Sequence, residues 1–297
     1  MKKCYLFSYH CEPNGVDGMR LAWSNDGLNW RPLRGNQGFL VPAVGKDRLM
    51  RDPFVLLGPD GVFRATWTTS WLERGIGLCS SKDLIDWGPQ VYLPVMEHEP
   101  EARNRWAPEI VYDQEKHQYI IFWSTTIPGK FADTDYQSGS GEPGKGLNNR
   151  IYCVTTKDFE NFSETRLFFD PGCNVIDACI RWDGKRYVMF IKNETNLPFV
   201  PEKNIRVATA DYAEGPYSEL SAPITGKFWA EGPTGLKIED TWYVYFDRYR
   251  DHKYGVVTSK DLAHWTDITD RLVVPQNAKH ATALEVPADV LDRLLAL

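Results

Sequence analysis

The sequence has no apolar run long enough to span a bilayer, no block of Lys or Arg, and no Cys-x-x-Cys pair. Before its last ten residues it also shows no sustained helical periodicity. Each absence narrows the field. A membrane span needs about 20 consecutive apolar residues, so no membrane partner is expected. The formal net charge is -6 with no basic patch, which excludes nucleic acid and anionic membrane surfaces as expected partners. The six cysteines, Cys4, Cys11, Cys79, Cys153, Cys173 and Cys179, are scattered. A zinc site needs clustered ligands, so these read as free thiols in a reduced compartment. The basic start Met1-Lys2-Lys3 is followed by an apolar stretch broken at Ser8 and His10, unlike a secretory segment. The expectation is a cytoplasmic protein, or a secreted or periplasmic one whose signal this sequence does not carry.

What is abundant is aromatic: 11 Trp, 14 Tyr and 14 Phe in 297 residues. Aromatics favour strands and make flat platforms for sugar rings. They recur in a repeat: a short strand ends in Ser or Thr, then a Lys/Asn-Asp pair, a hydrophobic residue and an aromatic. The copies are Ala22-Trp-Ser-Asn-Asp-Gly-Leu-Asn-Trp30, Cys79-Ser-Ser-Lys-Asp-Leu-Ile-Asp-Trp87, Val154-Thr-Thr-Lys-Asp-Phe-Glu-Asn-Phe162 and Val257-Thr-Ser-Lys-Asp-Leu-Ala-His-Trp265. A degenerate copy is Ala208-Thr-Ala-Asp-Tyr-Ala-Glu-Gly-Pro-Tyr217. A spacing of roughly 50–75 residues is near the period of propeller blades.

Ahead of the last four copies stand pairs of strand-like runs joined by Asp/Gly turns, as in Asp177–Trp182 and Arg186–Lys192 around Asp183-Gly184-Lys185. This is the hairpin pattern. The first copy lacks its innermost strand, because Tyr5–His10 matches the second strand of the unit. His280–Glu285 can supply the missing one, closing the ring and removing an exposed sheet edge. A tail helix over Ala288–Ala296 then caps the outside. The fold class predicted is all-β: one five-bladed β-propeller domain over residues 1–297, its ring closed by the C-terminal strand on the N-terminal blade.

Aligned this way, the innermost strands begin at Asp52, Ala107, Asp177, Glu231 and His280. Innermost strands surround the central channel, so three acids and a histidine gather at one mouth. No Lys or Arg occupies the equivalent positions to pair them. Like charges clustered there are costly and are tolerated mainly where proton affinities are tuned or a cation is held.

The motifs Arg51-Asp52-Pro53-Phe54, Trp106-Ala107-Pro108-Glu109, Ile176-Asp177 and Ala230-Glu231-Gly232-Pro233, in five-bladed order, resemble glycoside hydrolase family 43 over nearly the whole chain. The resemblance implies an inverting hydrolase acting on arabinose, xylose or galactose linkages. It implies Asp52 as general base, Glu231 as general acid, and Asp177 as the carboxylate that orients the acid and raises its pKa. His280, in Lys-His-Ala, is similar to a family Arg-His-Gly whose histidine faces a central water or a metal ion, often calcium; here Ala281 replaces the glycine. The chemistry requires no cofactor; a structural calcium in the channel is what the resemblance would add. The carboxyls of an inverting pair stand roughly 6.5–9.5 Å apart to admit a water, a gap that a channel mouth provides.

Second strands return to the mouth where first strands begin. Thr69-Ser70-Trp71, Ser124-Thr125, Asn193-Glu194, Arg248-Tyr249 and His10 should therefore ring it. Trp71 and Trp106 are the preferred sugar platforms, while Trp67 and Trp123 serve core packing equally well. Arg248 is placed to bind sugar hydroxyls or to pair with Asp177 or Glu231, and Glu194 and His10 complete the predicted binding set. The polar, Gly-rich stretch Ile127–Arg150 reads as a wall on the active face or as an idle insertion. The carbohydrate expected is a plant-type pentose polymer or oligomer. The chain carries no segment for the extra β-sandwich of larger β-xylosidases, which favours arabinose. A galactosidase of the same mechanism and a non-catalytic carbohydrate-binding propeller are the alternatives. A retaining fructan hydrolase shares Arg-Asp-Pro but not the positions of the other acids.

Overall fold

A computed structural model describes residues 4–142, 144–197 and 203–297. The strands run in chain order around five sheets. Blade one holds β1 (Cys4–His10), β2 (Arg20–Ser24) and β3 (Arg31–Pro32). Blade two holds β4 (Arg51–Leu57), β5 (Phe63–Thr68), β6 (Ile76–Ser81) and β7 (Val91–Leu93). Blade three holds β8 (Trp106–Asp113), β9 (Gln118–Thr125), β10 (Arg150–Thr156) and β11 (Arg166–Phe169). Blade four has three strands, β12 (Val175–Trp182), β13 (Tyr187–Asn193) and β14 (Asn204–Ala210). Blade five holds β15 (Glu231–Ile238), β16 (Thr241–Arg248), β17 (Lys253–Ser259) and β18 (Thr266–Asp267). The last strand, β19 (Lys279–Val286), pairs antiparallel with β1, with Leu6 opposite Leu284, and completes blade one from the far end of the chain. The innermost strands touch in the closed circuit β19, β4, β8, β12, β15, so the predicted five-bladed ring and its closure are both present.

The repeated motif forms the corner between the third and fourth positions of each blade. In blade two, the Ser81 hydroxyl accepts the N–H groups of Asp83 and Leu84, and the Asp83 carboxylate accepts those of Ile85 and Asp86. Ser24/Asp26, Thr156/Asp158 and Ser259/Asp261 repeat this arrangement. Serine, threonine and aspartate recur there because their side chains satisfy turn N–H groups that the sheet cannot. In blade four Ala210 stands where the hydroxyl belongs, which explains the degenerate copy.

Apolar clusters fill the gaps between neighbouring blades. Between blades one and five, Phe7 stacks on Trp30 at 4.6 Å and meets Tyr245 edge-on. Each such buried aromatic is worth roughly 1.5–3 kcal/mol over exposure, and blade-to-blade burial rather than strand length holds the ring. The helix α1 (Ala288–Leu295) buries Val290, Leu291 and Leu294 in the cluster between blades one and two. No helix among the described residues is long and apolar enough to cross a membrane.

Beneath the mouth, Arg181 of β12 binds Glu109 of β8 at 3.2 Å, and Thr234 Oγ1 and the Gly235 carbonyl of β15. This cross-channel tie joins three innermost strands. Burial pushes Glu109 up to about 7 even with Arg181 beside it.

Candidate active site

Every innermost strand opens with a β-bulge. Pairing jumps from Arg51↔Thr68 to Phe54↔Thr66, from Trp106↔Ser124 to Glu109↔Phe122, from Ile176↔Lys192 to Cys179↔Phe190 and from Glu231↔Asp247 to Thr234↔Tyr245. The closing strand does the same between Ser8 and His10. The bulged residue is left-handed in each blade: Asp52 (φ 53°), Ala107 (47°), Asp177 (55°), Gly232 (54°) and His280 (39°). A bulge turns a side chain out of the sheet alternation and is common beside active sites. Left-handed backbone is sparsely populated for residues other than glycine, with Asp and His among the more tolerant. Here it aims three of those five positions, Asp52, Asp177 and His280, at the mouth.

These bulges correct the alignment. The blade-five equivalent of Asp52 and Asp177 is Gly232, not Glu231. Glu231 occupies the position of Arg51, Trp106, Ile176 and Lys279, one residue earlier. Gly232 is required because a Cβ there would lie 2.8 Å from His280 Cγ.

The bulge N–H groups of blades two to five are accepted by side chains from the preceding blade. Asp52 N–H donates to His10 Nδ1 (3.3 Å), Ala107 N–H to Thr68 Oγ1 (3.0 Å) and Asp177 N–H to Ser124 Oγ (3.1 Å). His10, Thr68 and Ser124 are corresponding residues of the second strands. In blade four that residue is Lys192, an ammonium that cannot accept. The Asp177 carboxylate takes the Gly232 N–H instead, at 3.1 Å.

A cavity of about 350 Å³ sits over this ring, lined by Asp52, Asp177, Glu231 and His280 with Trp71, Trp106 and Glu194, and also by Thr68, Lys192, Lys203 and Trp229, which the sequence reading did not single out for it. The three predicted acids therefore converge, as does His280. No Lys or Arg stands at the equivalent positions, yet cations reach the acids from elsewhere in the blades. Lys192 Nζ lies 3.0 Å from Glu231 Oε2 and 2.7 Å from Glu194 Oε2, and Lys203 binds the other Glu194 oxygen. Lys192 arrives on a second strand and Lys203 on the segment before β14, while Arg51 enters from the start of β4.

The charges are unequal in environment. Burial alone would push Asp52 up, but His280, with Nδ1 3.2 Å from Oδ1, and Arg51 outweigh it and hold the carboxyl below its usual value. Thr68 also donates to Asp52 Oδ2 at 2.8 Å. Burial dominates at Asp177, which is pushed up to about 6 despite His280 and Lys192. Asp247, opposite Glu231 in the register, is likewise pushed up to about 6 by burial against the pull of Lys279. Burial is thus the main cause of the raised Asp177 and Asp247, and Glu231 stands in contact with an ammonium. His280 is raised, because Asp52 and Asp177 outweigh the burial that would lower it.

The remaining predicted residues divide. Trp71 is 42% exposed and meets Trp106 edge-on at 5.5 Å, with the Arg51 guanidinium 4.5 Å over its ring. Trp106 donates its indole N–H to the Trp71 carbonyl. Trp67 lies instead in the core between blades one and two, flat against Gly77, where a Cβ would stand 2.0 Å from its ring. Trp123 is buried between blades two and three. His10 is fully buried under Asp52, and burial lowers it to about 3, which keeps the imidazole neutral and able to accept the Asp52 N–H. Arg248 turns away from the acids, pairing with Asp251 and stacking over Phe228 at 4.0 Å. It lines a neighbouring groove, not this cavity.

The stretch 127–150 contains a 3₁₀ segment, Ala132–Ser138, and docks beside blade four, where Gln137 accepts from the Asn174 and Asn196 N–H groups. Arg103 donates to the Lys145 and Gly146 carbonyls. Among its described residues none lines the acid cavity; several enclose a separate one of about 410 Å³. Among the described residues, no three His, Cys, Asp or Glu side chains converge to hold a metal ion, and His280 uses Nδ1 on Asp52. The described residues therefore present no assembled calcium site.

The family described as "Probable glycosyl hydrolase domain" matches residues 2–292. The chain belongs to the glycosyl hydrolase 43-related family. Over 201 residues it is 26% identical to an α-L-arabinofuranosidase of Bifidobacterium longum subsp. longum, a match covering 60% of this chain and 18% of that protein. The chain thus spans under a fifth of that relative's length. Solved structures share the fold. One is a thermostable family-43 glycoside hydrolase (TM-score 0.56, 17% identity, 78% of each chain). Another is the α-L-arabinofuranosidase of Lactobacillus brevis (TM-score 0.53, 17% identity, 73% of this chain and 72% of that one).

Proposed function

We propose that this propeller is an inverting glycoside hydrolase acting on arabinose- or xylose-containing oligo- or polysaccharides, as an α-L-arabinofuranosidase or β-xylosidase-like enzyme. The observation that carries the reading is the convergence of Asp52, Asp177 and Glu231, from three separate blades, in one cavity beside the Trp71–Trp106 corner.

The roles follow from environment. Asp52, held ionised by His280 and Arg51, is suited to take a proton from the attacking water as the new C–O bond forms. Glu231, 25% exposed at the cavity wall, is placed to protonate the leaving oxygen. Asp177 fixes the backbone beside Glu231 through Gly232 N–H and adds negative charge beneath a sugar that becomes oxocarbenium-like. Trp71 offers a partly exposed ring beside the acids, with the Arg51 guanidinium over one face. The named arabinofuranosidase relative favours arabinose within this class.

The test is a panel of nitrophenyl α-L-arabinofuranoside, β-xyloside and β-galactoside, with the first-formed anomer followed by proton NMR. Turnover of a pentoside with inversion is expected. Turnover of the galactoside alone would move the substrate assignment to galactose. Tight sugar binding with no turnover of any would make the propeller a binding scaffold, and a retained anomer would overturn the mechanism.

A further inference from the structure

At the acceptor position filled by His10, Thr68 and Ser124 in blades one to three, blade four places Lys192. The substitution has a cost. It forfeits the acceptor for the Gly232 N–H, which Asp177 must supply. It also buries an ammonium at 2% exposure, and a buried charge is expensive unless paired and hydrogen-bonded. Lys192 is paired on two sides, with Glu231 at 3.0 Å and Glu194 at 2.7 Å, and lies 4.7 Å from the Tyr249 ring centroid. Glu194 is anchored in turn by Lys203. The chain Lys203–Glu194–Lys192–Glu231 thus runs along the cavity wall as alternating charges. Glu194 is held below the ordinary carboxylate range, because the two lysines outweigh its burial.

We infer that Lys192 is a positioning residue that fixes the Glu231 carboxyl against the cavity wall and limits how tightly it holds its proton. The inference rests on the reading of Glu231 as the acid. A useful general acid must give its proton up as well as carry it, so its pKa should lie near the working pH. The groups facing Glu231 come from every packed element. Asp177 on β12, Asp247 on β16, Asp52 on β4 and Glu194 after β13 favour retention of the proton. Lys192 on β13, Lys203 before β14, Arg51 on β4, and His280 and Lys279 on β19 favour its release. Burial keeps the Tyr249 and Tyr254 phenols neutral. Of the cations, Lys192 is the one in hydrogen-bond contact with Glu231. It therefore offsets the surrounding carboxylates most directly.

The test uses the full chain labelled with ¹³C at glutamate Cδ, with the Glu231 carboxyl identified as the resonance lost in Glu231→Gln. In Lys192→Met its titration midpoint is expected to rise by about one pH unit or more, as for loss of a contacting opposite charge. Lys192→Arg should keep the wild-type midpoint. Glu194→Gln, which leaves Lys192 wholly to Glu231 and removes a like charge, should lower it. The alkaline limb of kcat/KM should follow each shift, whereas a merely structural lysine would lower the melting temperature and leave both midpoint and limb in place. An unchanged midpoint in folded Lys192→Met overturns the inference. If that variant does not fold, an unchanged midpoint in Glu194→Gln does so. A wild-type protein that hydrolyses no glycoside sinks the hydrolase reading instead, and the titration still decides whether Lys192 governs this carboxyl.

Discussion

The aspartates at the outer corners of the blades and those at the channel mouth are the same residue in opposite surroundings. Asp26 and Asp83 sit at exposed turns, where burial would raise the pKa but several backbone N–H groups and a neighbouring hydroxyl together outweigh it and lower it. Asp177 and Asp247 sit under the cavity, where burial wins and each is pushed up to about 6. The difference teaches that carboxylate chemistry in this fold is set by how many donors meet the oxygens before water is removed. At the corners the chain supplies them, and the acid is a staple. At the mouth the supply is short, and proton affinity becomes adjustable. Asp52 lies between the two, buried like Asp177 yet lowered, because His280 and Arg51 face it.

The largest expected break in this comparison is Glu231→Gln. Hydrolysis should fall about 10³-fold on a substrate whose leaving group needs protonation, and far less with a dinitrophenyl leaving group. An equal loss on both would show that Glu231 does not act as the acid. Next is Gly232→Ala. Its new Cβ would crowd the His280 ring at 2.8 Å, and kcat/KM should drop on the order of 10- to 100-fold through misplacement of His280 and Asp52. Unchanged kinetics would mean that the ring does not need its present position.

Asp177→Asn sharpens the contrast through pH. The folded pKa of Asp177 is raised to about 6. Its contribution to stability is therefore fully present below the unfolded value and is lost as pH rises through about 6, a swing of roughly 3 kcal/mol. The asparagine variant should lose that swing, melting higher than wild type at pH 8 and converging with it at about pH 3, below the unfolded pKa. The smallest effect is Asp26→Ala. A lowered pKa means stability present above about pH 4 and lost as pH falls below it. After discounting for solvent screening, about 1 kcal/mol, or roughly 2 °C in Tm, should disappear at pH 7 with activity intact.

The corners were legible in the sequence because the hydroxyl, carboxylate and N–H groups that build them lie within about six residues. The closure was legible as a missing strand, which β19 supplies. The acids were legible as strand-initial positions, but the register at Glu231 slipped by one because a bulge adds a residue that hydrophobic alternation does not mark. Gly232 was the available signal, being the one glycine at a left-handed position filled elsewhere by Asp, Ala and His. Lys192 escaped notice because its effect depends on which way a second strand's pleat turns it. Comparing Thr68, Ser124 and Lys192 across blades would have exposed the odd charge. Trp67 and Trp71 differ by four residues in sequence, yet one is core and the other a cavity wall, a distinction decided by Gly77 and not by the aromatic pattern.

The most direct measurement is hydrolysis by Asp52→Ala on whichever glycoside the wild type turns over, with thermal melting recorded alongside. The account predicts a loss of about 10³-fold or more with the protein folded. Undiminished hydrolysis by the folded variant would contradict it.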